Sequence, residues 1–240
     1  MILTTMHDGP ARLGKYNEII TPAVLNNEEL KIIKDEPMPY DVPKELAKWS
    51  IERTIENAKK GEGIAVIHGG KYLDLRIKCS EELDKLGHTT LMIANSEKLL
   101  KNPRDLVDII VNIRETINPN SALYFPFTDA AFMPLLVYMG IDLFGNAAAD
   151  FNAYLSNMLT STSKYDLKSY KIYELDFNEL KNYNNSTLDF AVREIRENIK
   201  NGTLRNLVEQ RCCTSPEAMS ALRILDKKYP DFLEKYTLLY

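Results

Sequence analysis

Apolar positions along the chain fall into two alternating patterns. Ile64 to Ile67 is an unbroken apolar run that ends in His68-Gly69-Gly70. From Tyr72 the apolar positions thin to Tyr72, Leu75, Cys79, Leu83 and Leu86, three or four apart, and stop at Gly87. The first pattern fits a strand buried on both faces, the second a helix with one apolar stripe. The alternation repeats. An apolar stretch at 89–94 precedes a helix capped by Asn102 and opened by Pro103; 121–126 precedes a helix through 133–139 that stops at Gly140; 141–144 precedes a helical stretch over 147–159. Strand–helix alternation of this kind predicts an α/β fold, with a parallel sheet joined by right-handed crossovers.

The flanks differ from this middle. Gly9-Pro10 and Gly14 punctuate short extended stretches near the start, which predicts an antiparallel hairpin or two. Three prolines within 34–43 predict a loop, and Pro43 opens a helix to Lys60 with Ala47, Ile51, Ile55 and Ala58 on one face. Beyond residue 165 the spacing predicts one more strand over 169–177. Helices then follow over 186–200 (capped by Ser186), 203–212 and 215–228. The expected organisation is a strand-rich region over 1–165 and a mainly helical C-terminal segment, 166–240, packed on it.

Composition narrows the function classes. The 240 residues are 45% hydrophobic, which supports a sizeable core, and the net charge of −4 supplies no strong field for nucleic acid. The three cysteines fit a reduced cytoplasm better than a disulfide framework, and Cys212-Cys213 has no histidine at zinc-ligand spacing. No basic-then-apolar leader opens the chain and no apolar run is long enough to span a bilayer. The expectation is a cytoplasmic protein with no membrane contact, no metal and no cofactor.

Strand ends are where an α/β protein places its chemistry. Here they offer His68-Gly69-Gly70, Ala94 to Glu97, Pro126 to Asp129, and Gly145-Asn146. The glycine pair either lets backbone approach a planar ligand or only shapes a turn. His68 either reads a ligand edge or is satisfied within the loop network. Asn95 and Glu97 either contact a base or serve as helix cap and first-turn acid. Asp74 and Arg76 read as a structural polar pair. There is no phosphate-binding loop motif, nucleophile elbow or paired-histidine motif.

These residues resemble a known family. The stretch 63–87 is similar to the central motif of tRNA-guanine transglycosylases, which have Gln-Gly-Gly, an aromatic residue and Asp-Leu-Arg. The matches are Gly69, Gly70, Tyr72, Asp74, Leu75 and Arg76. Trp49, Ser50 and Arg53 on the preceding helix, the opening "HDGPARLGKY" with Thr21-Pro22, and Gly140, Asp142 and Phe144 extend the likeness. The stretch 204–237 resembles the segment closing the transglycosylase-like domain of archaeal archaeosine synthases.

The departures set the expectations. The family's nucleophilic aspartate should follow Phe144, where this chain has Gly145, which cannot attack a ribose carbon. About twenty residues separate Thr21-Pro22 from the first helix, too few for the family's other active-site aspartate and its loop. The family's zinc cluster is missing, and His68 replaces the base-reading glutamine. Archaeosine synthases continue into further domains, whereas this sequence stops at Tyr240. The resemblance therefore implies a partial or reorganised TIM-barrel-like sheet with an N-terminal β-hairpin, since a full barrel needs roughly 250 residues.

It further implies a non-catalytic or split subunit acting in archaeosine modification of tRNA. In that role an archaeosine synthase partner subunit supplies the missing domains and tRNA is met only through the complex. The alternative is a stand-alone protein that binds a deazapurine or a partner enzyme. Base-binding candidates are His68, Gly69, Gly70 and Asn95, facing a 7-deazaguanine-type base. If chemistry has moved instead, Asp8, His68, Asp129 and Asp142 are the acid/base candidates. The lost segment should leave strand edges open, so the C-terminal helices, the hairpin or a partner must cover them, and a homo- or hetero-oligomer is expected.

Overall fold

A computed structural model describes residues 1–235. The chain opens with an antiparallel sheet of β1 (Ile2–Asp8), β2 (Ala11–Tyr16) and β3 (Ile19–Thr21), as the turn residues predict. β4 (Ala23–Leu25) follows at once, then a short 3-10 turn (Asn27–Glu29) and α1 (Lys44–Ala58). Next come β5 (Ala65–Ile67), α2 (Leu73–Lys85), β6 (Thr90–Ile93), α3 (Ser96–Leu99), α4 (Pro103–Thr116), β7 (Ala122–Phe125), α5 (Met133–Tyr138), β8 (Leu143–Gly145) and α6 (Ala147–Tyr154). A small hairpin of β9 (Asn157–Leu159) and β10 (Lys164–Asp166) leads into α7 (Leu167–Tyr170), α8 (Phe177–Lys200), α9 (Leu204–Cys212), α10 (Pro216–Lys228) and α11 (Pro230–Glu234).

The central sheet is parallel, in the order β4-β8-β7-β6-β5. Its alternate residues face two different cores. Ala23, Leu25, Ile64, Met92, Ala122, Tyr124 and Leu143 meet on the concave side, closed below by Ile2 and Tyr16 from the hairpin. Ala65, Ile67, Leu91, Ile93, Leu123, Phe125 and Phe144 face the helices. Both faces are buried, which is why the strands read as unbroken apolar runs.

Two elements escaped the sequence pattern, and they extend the sheet at its two ends. β4 pairs with β8, and Lys31–Ile33 pairs with the opposite edge: the Ile64 amide donates to the Lys31 carbonyl at 2.9 Å and the Ile33 amide to the Ile64 carbonyl at 2.9 Å. A flat array with these six members would hold Leu25 and Lys31 about 24 Å apart, five strand spacings. Six residue steps reach about 21 Å fully extended, and a 3-10 turn shortens them further. The sheet must therefore curl into a portion of a barrel. At the β5 end the expected cover was a C-terminal helix, the hairpin or a partner; the chain's own residues 31–33 supply one bridge there, at Ile64 just before β5.

Other expectations shift locally. No strand forms over 169–177, where α7 and irregular chain precede α8. α8 begins at Phe177, well before Ser186, because Asp176 and Glu179 cap each other's backbone amides at 2.9 Å. Ser186 instead donates to the Asn182 carbonyl within the helix. The helix expected to run to 159 stops at Tyr154, since Asn157–Leu159 pairs with Lys164–Asp166. Asn102 holds the N-cap position of α4 as expected, but its side chain makes no cap hydrogen bond; its amide donates to the Lys98 carbonyl at 2.7 Å.

Candidate functional site

The C-terminal ends of β5 and β6 are tied together by one buried cation. Arg76, in the first turn of α2, donates to the carbonyls of Gly70, Ile67 and Ala94, each at 2.9 Å, and to Asn95 Oδ1 at 3.3 Å. It is fully buried and makes no salt bridge among the described residues, and burial pulls its pKa down to about 10, so it remains a cation at neutral pH. The Asp-Leu-Arg spacing thus has a structural purpose: it places a guanidinium fork where two strand ends and the glycine turn present bare carbonyls.

Over this mouth lies a strap, residues 35–42. Asp35 Oδ2 meets His68 Nε2 at 2.6 Å, and His68 is 3% exposed. The Glu36 backbone is held from both sides by α1, where Ser50 Oγ donates to its carbonyl at 2.6 Å and Thr54 Oγ1 accepts its amide at 3.1 Å. Asn95 Nδ2 donates to the Met38 carbonyl at 3.1 Å, Tyr40 bonds Asp105, and Tyr72 donates to the Val42 carbonyl at 2.9 Å. Gly70 has φ +56°, and a Cβ there would lie 2.8 Å from the Tyr40 carbonyl oxygen. His68, Gly69, Gly70 and Asn95 do come together; His68, Gly70 and Asn95 face the chain's own strap, and Gly69 faces Leu75 and Arg76 at the start of α2.

The end of β8 is closed differently. Gly145 has no space for a side chain: a Cβ there would sit 2.5 Å from the Pro126 carbonyl oxygen, 2.5 Å from the Tyr124 hydroxyl and 2.6 Å from Asn27 Oδ1. Tyr124 donates to Asn27 Oδ1 at 2.6 Å across that position, and Asn146 Oδ1 accepts the Asn27 amide at 3.1 Å. Burial pushes the Tyr124 hydroxyl well above its ordinary pKa, so it is a neutral donor. Sequence reasoning missed this plug. Its one signal was Tyr124 inside an apolar run, since a buried phenol needs a partner.

The three candidate aspartates are far apart in role. Asp142 precedes β8, at the opposite end of the sheet, and is 1% exposed. It accepts from Arg12 at 2.7 and 3.0 Å, from Arg114 at 2.9 Å and from the Leu123 amide at 2.9 Å, which fixes the hairpin under the barrel. Asp8 accepts the Leu204 amide at 3.1 Å at the start of α9, and burial raises its pKa. Asp129 alone faces open space, a cleft of about 710 Å³ bounded by Glu97, Lys101, Phe127, Phe151 and Lys164, with Lys164 3.5 Å from its carboxylate. Among the described residues no group of three or more His, Cys, Asp or Glu side chains is placed to hold a metal ion. No helix among them is long and apolar enough to cross a membrane.

Fold and site together define a TIM-barrel-like α/β protein with a hairpin under the barrel and a glycine turn at its mouth. The family model described as queuine tRNA-ribosyltransferase matches residues 27–187, well over half of the chain, and the chain belongs to that family. It is 31% identical over 182 residues to the archaeosine synthase of Methanocaldococcus jannaschii, an overlap of 75% of this chain and 30% of that protein. It is 27% identical over 272 aligned positions to the tRNA-guanine(15) transglycosylase of the same organism, covering 95% of this chain and 41% of the relative. The Pyrococcus furiosus tRNA-guanine(15) transglycosylase is 27% identical over 231 residues, covering 84% and 39%. The chain spans less than half the length of these relatives. The 272 positions exceed its 240 residues, so that relative carries segments with no counterpart here.

Proposed function

We propose that this chain acts in archaeal tRNA modification as a transglycosylase-like subunit that does not itself exchange bases. The carrying observation is Gly145. The position that should hold the attacking carboxylate has the Pro126 carbonyl, the Tyr124 hydroxyl and Asn27 within 2.6 Å of where a Cβ would stand, so neither nucleophile nor sugar can occupy it. The strap supports the same reading, because a base meeting His68, Gly69, Gly70 and Asn95 has first to displace Asp35 and Met38. In this reading the chain works in the cytoplasm beside a subunit with the chemistry of an archaeosine synthase. Residues 1–165 form its barrel-type domain and 166–240 the helical segment packed on it.

The test is incorporation of labelled guanine into a tRNA transcript by the purified chain. The expected result is no incorporation above background. Incorporation that disappears with an Asp129→Asn or Asp142→Asn variant that remains folded would overturn the proposal. A second measurement addresses the strap: 7-cyano-7-deazaguanine should bind an Asp35→Ala variant more tightly than the parent chain.

A further inference from the structure

A basic groove runs between the outer face of the hairpin and α8, away from the strand C-termini. Leu13, Gly14 and Ile20 form its floor, while Lys15, Arg193, Arg196 and Lys200 stand along its sides. Four cations meet one lining carboxylate, Glu197, in a chain whose net charge is −4. Arg193, Arg196 and Lys200 lie at i, i+3 and i+7, one stripe about 10 Å long on α8. Arg196 is crowded: its pKa is lowered by burial first and by the Arg193 charge second, with Asp189 the acidic neighbour that offsets this. Like charges held together on a partly buried face destabilise the bare protein, and an anion in the groove relieves them. Beside the stripe Phe190 is 53% exposed, with the Arg193 guanidinium over its ring at 6.0 Å.

We infer that this groove is an RNA-docking surface, with Lys15, Arg193, Arg196 and Lys200 contacting successive backbone phosphates and Phe190 offering a stacking face to an unpaired base. Two guanidiniums and an ammonium along one helix face suit a repeating phosphate chain, and an exposed aromatic ring beside them is how proteins hold unpaired nucleotides. The inference deepens the tRNA reading and rests on it for the kind of RNA. It places the contact at the hairpin and leaves the barrel mouth out of it.

Fluorescence anisotropy of the full chain with a tRNA transcript and with a U-rich oligonucleotide, from 50 to 200 mM salt, tests it. Replacing Arg193, Arg196 and Lys200 together by glutamine, with folding checked by circular dichroism, should weaken binding at least tenfold at 50 mM salt. It should also flatten the logarithmic salt slope by about 2–3, the share of three phosphate contacts. Replacing the exposed Lys48, Lys59 and Lys60 by glutamine makes the same charge change elsewhere and should alter neither. Equal losses in the two triple variants would overturn the groove, as would wild-type affinity in the first or no RNA binding by the parent chain. Displacement of RNA by polyglutamate or phosphatidylserine vesicles at equal charge would also overturn it, in favour of a protein or a membrane. Binding of the oligonucleotide but not of tRNA, lost in the groove variant, would keep the groove and count against the tRNA reading instead.

Discussion

Adding one methyl group at Gly145 tests the closure of the barrel mouth. In Gly145→Ala the new Cβ lies 2.5–2.6 Å from three oxygen atoms, whereas ordinary contact begins near 3.5 Å, so each neighbour must retreat by roughly 1 Å. The Tyr124 hydroxyl and Asn27 amide can swing, at the expense of their 2.6 Å hydrogen bond. The Pro126 carbonyl is backbone and follows only if the β7 end moves. Overpacking of this kind costs about 1–3 kcal/mol, and three contacts with one immovable partner place the variant at the upper end, about 3 kcal/mol. For a chain of this size that lowers Tm by about 6–12 °C. Urea denaturation followed by circular dichroism reads it directly. Tyr124→Phe in the same background should recover only some of the loss, because the Pro126 carbonyl stays in place. A Gly145→Ala variant within about 0.5 kcal/mol of the parent would refute the closure, and so would guanine exchange by Gly145→Asp.

Arg76→Met strips donors from the Ile67, Ala94 and Gly70 carbonyls; each buried acceptor left bare costs about 1–3 kcal/mol, so a loss of about 3 kcal/mol or more is expected by denaturant unfolding. Asp35→Ala unlatches the strap from His68 and should make 35–42 the first site cut in limited proteolysis, with the parent chain resistant there. Burial raises the Asp8 pKa, so the folded state holds that proton more tightly than the unfolded chain and stability falls as pH rises past the ordinary carboxylate value. Asp8→Asn, which still offers an oxygen to the Leu204 amide, should remove that component of the pH dependence; an unchanged stability profile between the two proteins counts against it.

The sequence by itself determined the repeating portion of the structure. β5 to β8 and the helices between them are set by local periodicity, and the resemblance rests on residues such as Gly70 and Arg76 whose roles are geometric. It also exposed Gly145, because a missing carboxylate is visible as a letter. It did not show β4 or the pairing of Lys31–Ile33 with Ile64, because three residues carry no period and their partners lie far along the chain. That short N-terminal segment itself adds β4 at one end of the sheet and the bridge to Ile64 at the other. Only tertiary structure decided that Asp35 meets His68, that Met38 covers Asn95, and that Tyr124 and Asn27 close over Gly145. Each is a single contact made across the barrel mouth, where the order of residues along the chain says nothing about which of them share a surface.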